Sequence, residues 1–228
     1  MRAEVNQSLL VSRAKWAKIL SFGGMGCLIG SIVLVNTRPD LAWAILLAGL
    51  ITSTAGSHLA SRYMREPRAE EALQKALKGF DDHHVLYSFL LPIEHVLVAP
   101  SGAWVILVRK QPGTFSYDGR RWRQKVTLGR LLSFLGEPGL GRPIRELEYE
   151  TEKLRERLAD AGTPAGVPVE GVVVFADPRA SVEVKGTSCP VVTLDNLTGF
   201  FRRELRNRAA LAPDLRKKLI ETFDEWAS

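Results

Sequence analysis

The sequence predicts an α/β protein in two parts: an N-terminal hairpin of two transmembrane helices, then a mixed-sheet domain flanked by helices. Three observations predict it. No Lys, Arg, Asp or Glu occurs between Lys18 and Arg38, nor between Asp40 and Arg62. Each run approaches the roughly 20 apolar residues that a helix needs to cross a bilayer core. Beyond residue 61, segments of helical period alternate with short β-branched runs, the pattern of helices laid on a sheet. The 228 residues are 46% hydrophobic and 25% charged, which excludes a disordered chain.

The hairpin occupies residues 19–60, with helices over 19–35 and 41–60. Between them, Asn36-Thr37-Arg38-Pro39-Asp40 is turn chemistry with no room for a folded loop, so the helices run antiparallel. Gly26 and Gly30 are four apart on the first helix, and Gly49, Ser53 and Ser57 repeat that interval on the second. Such stripes let helix backbones approach in lipid, and they predict a homo-oligomer built through the hairpin. A second span follows the first run at once, with no small-x-small cleavage site, which argues against a signal peptide. Arg2, Arg13, Lys15 and Lys18 precede the hairpin and Arg62, Arg65 and Arg68 follow it, while the turn carries one Arg and one Asp. The positive-inside rule therefore makes residues 1–18 a basic cytoplasmic N-terminus and residues 61–228 a cytoplasmic domain, at the cell membrane. Cys27 and Cys189 fall in different parts, so no disulfide is expected, and a reducing compartment fits.

Within the domain, Pro67 opens a helix carrying Ala72, Leu73, Ala76, Leu77 and Phe80, which ends at Gly79 or just beyond. Strands are expected over 85–91, 94–99 and 103–108, the last two joined by Pro100-Ser101-Gly102 as a hairpin. Residues 103–108 are apolar on both faces, as a central covered strand should be. Phe115, Tyr117 and Trp122 flank Asp118-Gly119, the signal of a further hairpin. Residues 128–141 are Gly-rich and irregular. A helix over 143–161 places Ile144, Leu147, Leu154 and Leu158 on one face and ends at Gly162. A buried strand follows at 169–176, then shorter ones at 182–184 and 191–194. Asp195 is placed to cap a helix bearing Leu197, Phe200, Phe201 and Leu205, and a last helix runs from Pro213 to Trp226.

Several catalytic signatures are absent: GxxxxGK[ST], HExxH, CxxC and GxSxG do not occur. His83-His84 reads as a solvent-exposed turn, and His95 has no ligand set at metal spacing. Ser188-Cys189-Pro190 reads as a turn leading into a strand, since nothing nearby would activate the thiol.

Residues 93–122, IEHVLVAPSGAWVILVRKQPGTFSYDGRRW, resemble the core of the nuclease-related domain (NERD) family. That core has an acidic residue before His, a hydrophobic strand, a small Gly turn, and a second strand ending in Glu-x-Lys. A Gly and a Trp follow further on. Ala69-Glu70 with Leu73 and Leu77 is similar to the family's first helix. Arg142-Pro143, VVVFADPRASVEV and DNLTGFFRREL extend the resemblance over about residues 66–206. The resemblance implies a restriction-endonuclease-like fold and a metal-dependent nuclease site. In such a site carboxylates hold Mg²⁺ and a lysine positions the attacking water. Carried over, Glu70 keeps the helix glutamate, and Glu94 stands where the family usually has aspartate. Leu107 stands where it has glutamate, and Arg109 where it has lysine. The motif is thus degenerate, reading Leu107-Val108-Arg109. Lys110 cannot substitute, because one step along a strand turns a side chain to the other face. Arg109 can grip a phosphate but cannot act as a base.

A basic surface is the other candidate site. Arg120, Arg121, Arg123, Lys125, Arg130, Arg142 and Arg145 face one acid, Glu137, over residues 120–145, and a second basic stretch runs from Arg202 to Lys218. Trp122 between Arg121 and Arg123 suits backbone contact with base stacking on a single strand, whether DNA or RNA. The same residues, Arg120, Arg121, Trp122, Arg123 and Lys125, equally suit an anionic membrane surface or a plain solvated one, and Trp122 equally suits the core of the hairpin.

The expected function is a membrane-anchored nuclease-related protein, a pseudoenzyme that binds nucleic acid or a partner at the inner face of the membrane. One alternative is an active Mg²⁺-dependent nuclease with a rearranged site. A second is a structural, oligomerising membrane protein. No metal ligands are assigned and no cofactor is expected, with Mg²⁺ entering only if the site is active.

Overall fold

A computed structural model describes residues 1–64, 68–91, 93–124, 139–163 and 166–227. Lys125, Arg130, Glu137, Arg65, Pro67 and most of the Gly-rich stretch at 128–141 lie outside the described residues. The chain forms two compact units. One contains Met1–Asn6 together with Ala69–Val126 and Leu140–Ser228, and the other contains the helical hairpin that begins at Gln7.

The hairpin consists of Gln7–Leu34 (α1) and Pro39–Tyr63 (α2), both longer than their apolar runs. The backbone N–H groups of Thr37 and Arg38 close the turn on the Leu34 carbonyl, and Pro39 starts α2 where a missing N–H does no harm. Leu10, Ala17, Gly24 and Ser31 are the buried residues of α1, and Ala42, Gly49 and Gly56 those of α2. Both sets recur every seven residues, the period of a left-handed seam of underwound helices. The seam is built from small side chains, so the backbones approach closely: a Cβ on Gly56 would lie 2.5 Å from the Ser21 nitrogen. The four-residue stripe on the first helix plays no part in this contact. A Cβ on Gly26 or Gly30 would meet nothing within 4 Å.

Away from the seam, Phe22, Ile29, Ile32, Val33, Leu47, Leu50 and Ile51 point outward. Threonine hydroxyls on the second helix donate to their own helix carbonyls, Thr52 to Ala48 and Thr54 to Leu50, which satisfies them without water. Trp16 and Trp43 are also exposed. Because Gly24 packs on Ser53 and Gly56 on Ser21, Trp43 is level with Leu34. The two tryptophans thus stand about 27 Å apart along the hairpin, from residue 16 to residue 34 at ~1.5 Å each.

In the other unit, Ala69–Leu77 (α3) precedes Val85–Ser88 (β2), His95–Ala99 (β3) and Gly102–Arg109 (β4). Next come Gly113–Tyr117 (β5), Trp122–Gln124 (β6), Pro143–Asp160 (α4) and Val169–Phe175 (β7). Ala180–Val184 (β8), Val191–Thr193 (β9), Leu194–Arg206 (α5) and Pro213–Ala227 (α6) complete the order. Arg2–Val5 forms a further strand, β1, which the sequence reading leaves inside a basic leader. The main sheet is mixed, in the order β1-β2-β3-β4-β7-β9, and a smaller sheet has the order β6-β5-β8. The expected Pro-Ser-Gly hairpin joins β3 to β4, with Val96 opposite Val105. At its turn Gly102 has φ +136°, and a Cβ there would collide with the Pro168 carbonyl.

The central strands β4 and β7 run parallel and are covered on both faces. One face carries Val85, Tyr87, Val96, Val98, Val105, Val173 and Phe175 against Leu147, Leu154 and Leu158 of α4 and Leu219 and Phe223 of α6. The other carries Leu86, Leu97, Trp104, Ile106, Val172 and Val174 against Leu73 and Leu77 of α3 and Leu197, Phe200 and Phe201 of α5. Trp104 meets Phe200 and Phe201 edge-on, at 5.7 and 5.4 Å.

Three local expectations need correction. The strand expected over 85–91 ends at Ser88, because Phe89 takes φ +60° and its N–H turns to the Glu94 carbonyl at 2.7 Å. The helix expected to be capped by Asp195 has Thr193 at its N-cap, with Asp195 in the first turn. His84 is buried at 7% exposure, its Nδ1 2.6 Å from Asp81, while His83 is exposed as expected.

Candidate functional site

The residues matched to a nuclease site reach it from different elements. Glu70 sits in the first turn of α3 and is 4% exposed. It shares a helix face with Leu73 and Leu77, so it belongs to the Trp104 side of the sheet. His95 opens β3, fully buried, with Nδ1 3.0 Å from the Ser88 hydroxyl and its ring against Phe89. Glu94 is half-buried just before that strand. Extending the β3–β4 register by two residues from the Val96–Val105 pair brings Glu94 opposite Leu107.

Leu107 and Arg109 lie on the α4 face of β4, opposite to the face that carries Trp104 and Ile106. Leu107 packs against the cluster of Val105, Val173 and Phe175. The Arg109 guanidinium pairs with Glu146, a residue that the sequence reading does not single out. Glu146 stands in the first turn of α4, behind Pro143 at the start of the helix. Its Oε1 accepts the backbone N–H of Arg142 at 3.2 Å while its Oε2 takes Arg109. One carboxylate therefore closes the helix end and neutralises the strand cation. The pair is asymmetric: the Arg109 side chain is 15% exposed and that of Glu146 47%.

The basic candidates fall on the β5–β6 turn. Arg120, Arg121 and Arg123 are exposed there. Asp118 organises the turn, accepting the N–H groups of Arg121 and Arg120 at 2.9 and 3.0 Å and pairing with Arg123 at 3.2 Å. Those two backbone bonds, and then the Arg123 charge, hold its carboxyl below the usual range. The parallel β5–β8 pairing brings Lys185 to the same end, its N–H on the Tyr117 carbonyl. Trp122 is half-buried, 5.1 Å from Tyr117 and 5.9 Å from Phe175, so its ring is part of the packing under the turn. In the second basic stretch, Arg208 is held by Glu170 and Glu204 and lies 4.9 Å over Trp104, a structural use of its charge.

Elsewhere, a groove of about 820 Å³ lies between α4 and β7, lined in part by Glu148, Glu152, Arg155, Ser188 and Cys189. Burial, with Glu148 nearby, pushes the Cys189 thiol up to about 11. Among the described residues, no group of three or more His, Cys, Asp or Glu side chains is placed to hold a metal ion.

A strand–turn–strand pair followed by a helix and a parallel strand, with helices on both faces of the main sheet, defines a mixed α/β domain. Residues 63–176, half of the chain, match the model of the NERD nuclease-related domain family, and the protein belongs to that family. The match ends with β7, so β8, β9, α5 and α6 lie beyond it. No curated protein and no solved structure matches the chain.

Proposed function

We propose that this protein is a membrane-anchored, nuclease-related module that binds nucleic acid at the inner face of the membrane and does not cleave it. The observation that carries this reading is the state of the β4 end. Leu107 joins the hydrocarbon core and Arg109 is engaged by Glu146. A Mg²⁺ site of the family's kind needs an oxygen at position 107, and the residues present do not fit one. Glu70 comes from the other side of the sheet, and Arg109 repels a cation. What remains is a scaffold with an exposed cluster at Arg120, Arg121, Arg123 and Lys185, suited to phosphate contacts.

Membrane anchoring is supported by the hairpin's outward apolar side chains and by its two tryptophan levels, whose spacing fits a bilayer core of about 30 Å. The position of β1 bears on topology. Arg2–Val5 and the chain beyond Ala69 share one sheet, so the helices between them must cross an even number of times. The positive flanks then favour the cytoplasmic side for both.

The test uses the full chain in detergent or nanodiscs. Anisotropy with a labelled single-stranded oligonucleotide should show affinity falling steeply as salt rises, with no scission in Mg²⁺ or Mn²⁺. Metal-dependent cleavage that disappears in Glu70→Gln would refute the loss of hydrolysis, and absence of binding at low salt would remove the nucleic-acid reading.

A further inference from the structure

The Arg109–Glu146 pair has the features of an occupied anion site. Arg109 is the last residue of β4, and its side chain is mostly enclosed. Its ligand is a carboxylate, a planar anion that a guanidinium grips as it would grip a phosphate. That carboxylate does not wander as a surface side chain would. The Arg142 N–H holds its second oxygen, and the first turn of α4 fixes its origin. The helix N-terminus also favours negative charge at this point, whether from Glu146 or from an incoming group. Glu146 is the more exposed partner, so it stands on the solvent side of the cation it covers.

We infer that Glu146 is a built-in competitor for a phosphate of bound nucleic acid, keeping Arg109 closed until a polyanion displaces it. This rests on the nucleic-acid reading above and adds a regulating residue to the same site. A bound strand carries a row of phosphates, and one of them exchanges with the Glu146 carboxylate. No bond is made or broken, only one anion for another at a single guanidinium. Affinity is thereby lower than the basic surface alone would give, and short or weakly charged ligands are discriminated against.

Glu146→Gln tests this directly. Glutamine still accepts the Arg142 N–H, so the helix end keeps its cap, but the charge on Arg109 is released. Glu156→Gln, an exposed position on the same helix, makes the same change in net charge away from the pair. Binding of a labelled single-stranded oligonucleotide at fixed salt should tighten about tenfold in Glu146→Gln, as loss of a competing charged partner implies. It should stay near wild type in Glu156→Gln, and the gain should vanish in Glu146→Gln/Arg109→Gln. If wild type binds but Glu146→Gln gains no more than Glu156→Gln, or keeps its gain without Arg109, the inference falls and the nucleic-acid reading stands. If neither wild type nor Glu146→Gln binds, both fall.

Discussion

A Cβ placed on Gly24 would stand 2.5 Å from the backbone nitrogen of Ser53 on the neighbouring helix. Backbone cannot yield as a flexible side chain can, so any larger residue at position 24 must push the helices apart. Gly56 faces the Ser21 nitrogen in the same way, and Gly49 faces Cys27 and the Gly24 carbonyl. Gly24→Leu and Gly56→Leu are therefore expected to lower the melting temperature of the hairpin in detergent by at least several degrees. Gly26→Leu and Gly30→Leu, with open space at the Cβ, should leave it within error. Equal losses from both pairs would mean that the seven-residue seam is not the interface.

Arg2 of β1, Tyr87 of β2 and Asp224 of α6 form a second junction. Arg2 donates to the Tyr87 hydroxyl at 3.0 Å and to Asp224, and Tyr87 donates to Asp224 at 2.6 Å. Burial pushes the Asp224 carboxyl up, but the bonds from Arg2 and Tyr87 outweigh it and hold the carboxyl below its ordinary range. A depressed acid contributes stability that is present above its unfolded value near 3.9, and that is lost as pH falls through the folded value. The partners are about two-fifths exposed, so solvent screening limits the effect to about 1 kcal/mol. Asp224→Asn should cost that much in denaturant melts at neutral pH, and the gap from wild type should close in strong acid. A gap that widened as pH fell would reverse the assignment.

Cys189 gives a third expectation. With its thiol pushed up to about 11, very little thiolate exists at pH 8. In a Cys27→Ser background, alkylation should be far slower than for a free thiol near 8.5, and should rise about tenfold per pH unit up to pH 10. Reaction at the free-thiol rate would show that the sulfur is open to solvent.

Much of the domain is legible in the sequence because its central strands are buried on both faces. Residues 95–99, 102–109 and 169–175 are mostly runs of β-branched and apolar residues. The helices announce themselves through Leu73 and Leu77, Leu154 and Leu158, and Phe200 and Phe201, whose spacing follows the buried stripe. Strand β1 does not. Its four residues, Arg-Ala-Glu-Val, carry no hydrophobic run, and what makes them a strand is a partner at Val85. The hairpin contact was hidden for another reason. Small residues recur at both four and seven along α1, and only packing against α2 selects the second period. At the candidate site, positions 70, 94, 107 and 109 follow from the family pattern, whereas Glu146 is an ordinary first-turn acid until the fold sets it beside Arg109. Trp122 between two arginines suits a stacking platform and the hairpin core equally, and only the alternation along β6, which turns its ring inward against Phe175, selects the second.

The pairing of Arg2–Val5 with Val85–Ser88 also fixes an order of events during synthesis. Arg2–Val5 is made before both long helices, and its hydrogen-bonding partner is translated only after them. At about 5–20 residues per second, that delay amounts to several seconds or more. An outermost position of the main sheet is thus filled by a segment made well before its partner, and only once everything between has been made. Completion of the edge marks the moment at which the nascent protein closes on itself.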